Sequence, residues 1–145
     1  MLRISGYGQT GPYRDRPSFV SIGEAMGGLR HLTGLPGRIP VRCGISIGDT
    51  LAALHGTIGV LFAWHHREVN GGAGQVIDGA LHGSVFNTME SMLPEYSALG
   101  EVRAPADSAL PGIAPSNAHR CRDGLVLIAG NGDSIFTRLM KAIGR

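Results

Sequence analysis

The fold is decided between residues 44 and 54, which read Gly44-Ile45-Ser46-Ile47-Gly48-Asp49-Thr50-Leu51-Ala52-Ala53-Leu54. A short apolar run ends in this stretch and a long apolar helix begins, with the carboxylate of Asp49 at the junction. Free backbone N–H groups and the helix dipole favour a negative charge at such a position. The stretch alone leaves two roles open for Asp49, an ordinary helix N-cap or a carboxylate held there for chemistry.

The helix that follows is predicted to cover residues 49–68. One stripe along it has large side chains at helical spacing, namely Leu51, Leu54, Ile58, Leu61, Phe62 and His65. Most other positions are small, which predicts that neighbouring elements pack closely around the helix and bury it. Its apolar run between residues 51 and 64 is shorter than the ~18 residues expected of a membrane span, so a buried core helix is favoured.

Two further blocks flank this helix in the sequence. The first includes Gly6-Tyr7-Gly8-Gln9-Thr10-Gly11-Pro12 and follows a strand predicted at residues 2–5. The second reads Gly71-Gly72-Ala73-Gly74-Gln75-Val76-Ile77-Asp78-Gly79-Ala80-Leu81 and contains a strand predicted at residues 75–79. A helix over residues 81–93, ended by Pro94, is predicted next. This alternation of strands and helices predicts an α/β fold.

The remaining segments continue the same pattern. Residues 21–32 are predicted to form one helix, with Ser21 and Glu24 in a capping box and Gly34 at its end. Residues 101–115 are rich in Ala, Pro and Gly and are interpreted as a linker. A strand at residues 125–129 and a helix at residues 133–143, capped by Asp133 or Ser134, are predicted after it.

Residues 6–11 also match the G-x-G-x-x-G pattern of dinucleotide-binding sites. That motif needs a helix to begin immediately, so that its N–H groups can bind the pyrophosphate. Pro12 and Pro17 instead bracket a charged loop, and Glu24 falls inside a predicted helix where an acidic residue ending a second strand is required. These features argue against a nicotinamide cofactor.

In this order, the three blocks resemble the class III CoA-transferase family. That family includes formyl-CoA transferase, succinyl-CoA:carnitine CoA-transferase and the bile-acid-inducible CoA-transferases, and α-methylacyl-CoA racemases share its fold. The resemblance covers residues 2–145 and implies the C-terminal part of a Rossmann-like large domain over residues 1–104, then a linker and the start of a small domain over residues 105–145. Since full-length members are several hundred residues long, it also implies a central fragment of a longer enzyme.

The resemblance gives Asp49 the position of the family's catalytic aspartate and implies transfer of CoA between two carboxylic acids. The carboxylate attacks a thioester carbonyl and forms a mixed anhydride with release of CoA thiolate. The thiolate returns to form an aspartyl-CoA thioester, which the acceptor acid then attacks. N–H groups at the helix N-terminus are expected to stabilise the developing oxyanion. CoA thioesters are expected as substrates, with no permanently bound cofactor.

By the same resemblance, further residues are expected to line the substrate: Gly6, Tyr7, Gly8, Gln9, Phe19, Gly48 and Gly112. Phe19 lies where the racemases have a histidine, and phenylalanine cannot transfer a proton, which favours a transferase. Phe19 as an ordinary core residue stays open. Gly112 belongs to a segment near the place where transferases have a loop over the aspartate.

Charge and composition bear on the partners. The net charge of +2 gives no basis for binding nucleic acid or an anionic membrane. The six histidines lack the spacing of a metal site, and Asp78 is expected to be structural. Arg14 and Arg16 are candidates for CoA phosphates or a substrate carboxylate, or else solvated loop residues. The widely separated Cys43 and Cys121 fit reduced thiols in the cytoplasm.

The resemblance implies an interlocked homodimer for the full-length enzyme, with most CoA contacts made by an N-terminal portion. We therefore expect the 145-residue chain alone to be inactive or poorly folded. The alternatives are a racemase-like acyl-CoA enzyme and a non-catalytic truncated remnant. The sequence leaves the acyl donor and the acceptor acid open.

Overall fold

The structure is a computed structural model that describes all 145 residues. Strands and helices alternate through the first part of the chain, which confirms the predicted mixed α/β class. In chain order the elements are β1 (Leu2–Ser5), α1 (Val20–Met26), α2 (Leu29–Leu32), α3 (Ile47–Asn70), β2 (Ile77–Ala80), α4 (Leu81–Phe86), α5 (Met92–Leu99), β3 (Ser116–Arg120), β4 (Leu125–Ala129) and α6 (Asp133–Ala142).

The four strands form two separate sheets. Strands β1 and β2 are parallel, with Leu2 opposite Ile77 and Ser5 opposite Ala80. Parallel pairing needs a long crossover, which helices α1 to α3 provide here. Because both strands end at the same edge, the segments after Ser5 and after Ala80 meet there. Strands β3 and β4 form an antiparallel hairpin of their own.

Helix α3 packs on the parallel sheet through small residues. Its buried positions are Gly48, Ala52 and Gly56. A Cβ atom on Gly56 would lie 2.8 Å from Cδ2 of Leu2, so the helix backbone approaches β1 closely. Only glycine allows that approach without displacing the leucine. The spacing of the three buried residues, one per helical turn, explains why a single face of α3 meets the rest of the chain.

The large side chains of α3 lie on the exposed faces, which overturns the prediction of a helix buried among neighbours. Leu54, Ile58, Leu61 and Phe62 are between 49% and 71% exposed. The stripe of large apolar side chains is therefore present as predicted, but it faces away from the rest of the chain, and the small residues form the packed face. At 24 residues α3 also meets the length and composition of a membrane-spanning helix, contrary to the estimate from residues 51–64, although core helices of soluble proteins meet them too.

The helix predicted over residues 21–32 is divided in two. Helix α1 ends at Met26, and α2 begins after Gly28. Gly28 has a φ of 97°, a conformation that glycine adopts without the steric strain that other residues incur. A Cβ on Gly27 would lie 2.6 Å from Cβ of Val85, so α4 passes directly against this break. No side chain caps α1, and Phe19 occupies its N-cap position, so the predicted Ser21 capping box is wrong.

Glu24, the other member of that predicted box, is instead a fully buried side chain of the core. Its Oε2 lies 3.2 Å from Nε of Arg30 in α2, while its Oε1 has no hydrogen-bond partner. A buried carboxylate is tolerated only when a partner compensates for its lost hydration. Arg30 therefore ties α2 to the interior of the α1, α3 and α4 cluster.

Two other element boundaries differ from the predictions. The predicted helix over residues 81–93 ends at Phe86, and Pro94 lies at the third position of α5. Proline is tolerated there because the first-turn N–H groups have no intrahelical partner. Gly132 precedes α6 and no side chain caps it, so the predicted cap by Asp133 or Ser134 is also wrong.

The segment between α5 and β3 has no helix or strand, as predicted for a linker. Arg103 attaches it to α5 and to the turn before α5, by donating hydrogen bonds to Glu95, Glu90 and Ser91. Hydrogen bonds from Arg103 and then from Ser91 lower the pKa of Glu95 to about 2. The predicted domain boundary near residue 105 stays a prediction.

Candidate functional site

Asp49 lies in the first turn of α3 with its side chain exposed. It is the third residue of the helix, and Ser46 rather than Asp49 occupies the N-cap position, so the N-cap alternative for Asp49 is wrong. The N–H groups of this turn lack intrahelical acceptors and favour an anion. The position suits an ionised carboxylate that must stay accessible.

Gly48 fixes the backbone immediately before Asp49. It is buried, and a Cβ atom there would lie 2.9 Å from Cγ2 of Val20 and 3.2 Å from Cγ2 of Val85. A side chain at residue 48 would therefore push the start of α3 away from α1 and α4. Close packing at this glycine determines where the Asp49 carboxylate is presented.

Residues 6–9, here called the 6–9 loop, follow β1 at the carboxyl edge of the parallel sheet. Gly6 and Gly8 are buried, whereas Gln9 is exposed. The Gly8 N–H donates to Oγ of Ser5 at 3.1 Å, and the Gln9 N–H donates to Oδ2 of Asp78 at 2.7 Å. The main chain of the loop is therefore held by a side chain from each of the two strands, Ser5 of β1 and Asp78 of β2.

Two residues connect the 6–9 loop to the start of α3. A Cβ on Gly6 would lie 2.2 Å from Cβ of Ser18, and Val20 packs against Gly48. Phe19 lies between these two contacts and is 83% exposed. The structure thus brings Gly6, Phe19 and Gly48 to the same end of the sheet as Asp49. The alternative that Phe19 is an ordinary core residue does not hold within this chain.

Tyr7 lies in a small group of rings beside the loop. Its ring makes an edge contact with Tyr13, with centroids 5.4 Å apart, and lies 5.5 Å from the ring of His82. Arg16 stacks over Tyr13 at 4.4 Å, which gives this cation a contact with the loop. Arg14 instead forms an exposed pair with Asp15 at 3.4 Å. Of the two candidate arginines, Arg16 is the one connected to the site.

Gly112 is not brought to this group. It lies in an exposed turn before β3, with a φ of 79°, and no atom lies within 4 Å of a Cβ placed on it. The N–H of Leu110 and the carbonyl of Ser116 close this turn at 3.2 Å. Its expected place over Asp49 finds no support in the arrangement of this chain.

Arg42 was not predicted as a site residue from the sequence. Its Nη2 donates to Oγ of Ser46 at 2.8 Å, which places the guanidinium at the beginning of the Asp49 helix. No acidic side chain lies within ion-pair distance of it. A free guanidinium there is suited to binding a carboxylate. The available signal was an arginine four residues before the N-cap, in a run otherwise apolar.

Asp78 and His82 also have contacts that the sequence did not predict. Besides the bond between Asp78 and Gln9, the carbonyl of Gly6 accepts hydrogen bonds from the backbone N–H and from Nδ1 of His82. Asp78 was expected to be structural, and its partner is the candidate loop itself. No three of the His, Cys, Asp and Glu side chains in the chain are grouped to hold a metal ion.

Comparison with known proteins identifies the family. A model of CoA-transferase family III matches residues 1–145. The chain is 51% identical to the succinyl-CoA–D-citramalate CoA-transferase of Chloroflexus aurantiacus and 44% identical to the β subunit of its succinyl-CoA–L-malate CoA-transferase. Each match covers 100% of this chain and 36% of the relative, so the chain spans about a third of the curated relatives it matches.

Solved structures agree with these relatives. A CAIB/BAIF family protein from Brucella suis matches with a TM-score of 0.83 and 32% identity, over 99% of this chain and 38% of that protein. A Mycobacterium tuberculosis protein shares the fold at a TM-score of 0.80 and 24% identity, over 99% of this chain and 37% of that protein. The 145-residue chain belongs to CoA-transferase family III.

Proposed function

We propose that this chain contains the catalytic segment of an enzyme that transfers CoA from an acyl-CoA to a carboxylic acid, with Asp49 as the covalent carrier. The observation that supports this most is the placement of Asp49, which is exposed in the first turn of α3 directly after the tightly packed Gly48. The 6–9 loop and Phe19 lie at the same end of the sheet. An accessible carboxylate on a rigid backbone is what a nucleophile requires.

The proposed chemistry proceeds in balanced steps. A carboxylate oxygen of Asp49 attacks the thioester carbonyl, the C–S bond breaks, and CoA leaves as the thiolate, which gives an aspartyl-acyl anhydride. The thiolate attacks the aspartyl carbonyl, which forms an aspartyl-CoA thioester and releases the donor acid. The acceptor carboxylate then attacks that thioester, and the same two steps run in reverse on the acceptor. No electrons are exchanged and no further cofactor is needed.

We propose succinyl-CoA as donor and a dicarboxylic acid as acceptor. Two relatives are named for succinyl-CoA together with citramalate or malate, and both acceptors are hydroxylated dicarboxylic acids. Such an acceptor brings a second carboxylate close to Asp49 and needs a cation beside it. The unpaired guanidinium of Arg42, four residues before the N-cap Ser46 of α3, supports this choice because it lies at the start of the helix.

For the whole protein we propose an interlocked homodimer in the cytoplasm and no activity from the isolated 145 residues. The exposed large side chains on α3 support a partner surface outside this chain. The two exposed, unpaired cysteines are compatible with a reducing compartment. Measurable CoA transfer by the purified 145-residue chain would contradict the proposed inactivity without touching the role of Asp49.

A hybrid enzyme tests the role of Asp49. In it, these 145 residues replace the matching 36% of the Chloroflexus aurantiacus succinyl-CoA–D-citramalate CoA-transferase. Substituting Asp49→Asn removes the nucleophile while keeping the size of the side chain, and we expect transfer to fall by roughly a thousandfold or more. Asp123→Asn, an exposed residue in the turn between β3 and β4, is the matched control. Activity retained in Asp49→Asn would refute the proposal.

A further inference from the structure

The 6–9 loop is held by residues that take no part in the proposed chemistry. All of its identified main-chain hydrogen bonds run to side chains of the two parallel strands and to the start of α4. Oγ of Ser5 accepts from the Gly8 N–H at 3.1 Å and from Nε2 of Gln9 at 3.3 Å. The remaining bonds come from Asp78 and His82, more than 65 residues further along the chain.

His82 makes two bonds to one carbonyl of the loop. The oxygen of Gly6 accepts from the His82 backbone N–H at 3.3 Å and from its Nδ1 at 3.1 Å. Because a carbonyl oxygen only accepts, Nδ1 must bear the proton in this contact. The backbone N–H belongs to the first turn of α4, where it has no partner within the helix. The carbonyl of Gly6 in the loop and the backbone N–H of His82 in α4 are therefore each other's hydrogen-bond partners.

Asp78 holds the other end of the loop. Its Oδ2 accepts the Gln9 N–H at 2.7 Å, and the same oxygen lies 3.2 Å from the position that a Cβ on Gly8 would occupy. Gly8 has a φ of 86°, a conformation that other residues adopt only with strain. The carboxylate thus fixes the backbone of the loop at the residue where its conformation is most unusual.

We propose that Asp78 and His82 are positioning residues, which set the backbone of the 6–9 loop before the CoA thioester binds. This inference rests on the proposed function, because it assumes that the loop contacts the thioester. A loop that is already ordered loses less conformational entropy when the thioester binds. Losing either residue should therefore weaken acyl-CoA binding and leave the chemistry at Asp49 nearly unchanged.

The kinetic test uses the hybrid enzyme. In Asp78→Ala and in His82→Ala we expect KM for succinyl-CoA to rise about tenfold, which is the scale expected for the loss of one hydrogen bond to a buried or charged group. The kcat of each variant should stay within about twofold of the unsubstituted hybrid. Asp78→Asn keeps an oxygen that accepts the Gln9 N–H, and His82→Asn keeps a nitrogen that can donate to Gly6. Both should restore KM to within about threefold. Asp123→Ala and His119→Ala, on the distant hairpin, are controls of the same residue types.

A second readout separates this inference from the proposed function. Hydrogen exchange of the Gln9 amide should become about tenfold faster in Asp78→Ala than in the unsubstituted protein, whether or not Asp49 is the nucleophile. If the alanine variant does not fold, Asp78→Ser gives the same comparison with a side chain too short to reach. Unchanged exchange at Gln9, an unchanged KM, or asparagine variants as impaired as alanine variants would each overturn the inference.

Discussion

Residues 1–89 and residues 90–145 are held together in different ways. Of the 13 buried residues, all but Gly130 lie between Gly6 and Met89, and seven of the 13 are glycines. Beyond Met89, the linker is held mainly by the half-buried pair of Arg103 and Glu95 with its neighbours Glu90 and Ser91, and the hairpin is held by its own backbone hydrogen bonds. In the first region, neighbouring elements pack directly against buried glycines and so fix the backbone, whereas the second region is held by polar contacts. Asp49, the candidate nucleophile, lies in the first region, where glycine packing fixes the backbone.

The largest effect on stability is expected from a glycine of the first region. In Gly27→Ala the new Cβ would lie 2.6 Å from Cβ of Val85 and 2.8 Å from the backbone oxygen of His82, neither of which can move easily. We expect the free energy of unfolding to fall by about 3 kcal/mol, measured by urea denaturation. Gly124→Ala, with no atom within 4 Å of the new Cβ, should change it by less than about 1 kcal/mol. Equal losses of unfolding free energy from Gly27→Ala and Gly124→Ala would contradict the view that glycine packing stabilises the first region and not the second.

A slightly smaller effect is expected from the buried ion pair. Arg30→Met leaves the fully buried Glu24 without its partner, and we expect a loss of about 2 kcal/mol, below the usual range because the Arg30 side chain is 25% exposed. The double variant with Glu24→Gln should recover part of the loss, since an uncharged amide is cheaper to bury. Arg67→Met, which breaks an exposed pair with Glu68, should cost less than about 0.5 kcal/mol. A loss from Arg67→Met as large as from Arg30→Met would contradict this reading.

The sequence predicted the elements whose signals are local. Strands β1 and β4 and helices α3 and α6 fall within two residues of their predicted bounds, because alternation, helical spacing and Gly/Pro boundaries are visible in a short window. Strand β3 was missed, since Ser116–Arg120 has no apolar pattern and becomes a strand by pairing with β4. The break at Gly28 was missed because it depends on the approach of α4, more than 50 residues away.

The candidate site was predicted to a similar extent. Asp49, Phe19 and the 6–9 loop were predicted to share a site, and the structure places them at one end of the sheet, while their roles stay predictions. Gly112 was not brought there. Arg42 and the roles of Asp78 and His82 depend on contacts between side chains and distant backbone groups, which no periodicity in the sequence reveals. The exposed orientation of the large residues of α3 depends in the same way on where the sheet lies.

The second region should respond to acid through the cluster around Arg103. Arg103 and Ser91 lower the pKa of Glu95 from 4.5 to about 2, so the stabilising contribution of this carboxylate is present above pH 4.5 and is lost as the pH falls toward 2. We expect proteolysis of the linker by an acid protease to quicken between pH 4.5 and pH 2. In Arg103→Met the linker should be cleaved readily across the whole range. A linker equally protected at both pH values would contradict the role of the cluster.

The smallest effect is expected on the outer face of α3. Phe62 is 71% exposed, so Phe62→Ser should change the free energy of unfolding of the 145-residue chain by less than about 0.5 kcal/mol. Val85 is completely buried, and Val85→Ala should cost about 2 kcal/mol in the same denaturation experiment. A large loss from Phe62→Ser would mean that this face of α3 packs within the chain after all.

Asp49 is the residue that we propose as the covalent carrier of CoA. The most direct test incubates the hybrid enzyme with succinyl-CoA, traps the thioester with hydroxylamine, and maps the product by mass spectrometry of peptides. Hydroxylamine displaces CoA thiol from the carbonyl and leaves a hydroxamate on the residue that bore it. We predict a hydroxamate on Asp49 and none in Asp49→Asn. Turnover with an unmodified Asp49, or a hydroxamate on another residue, would contradict the account.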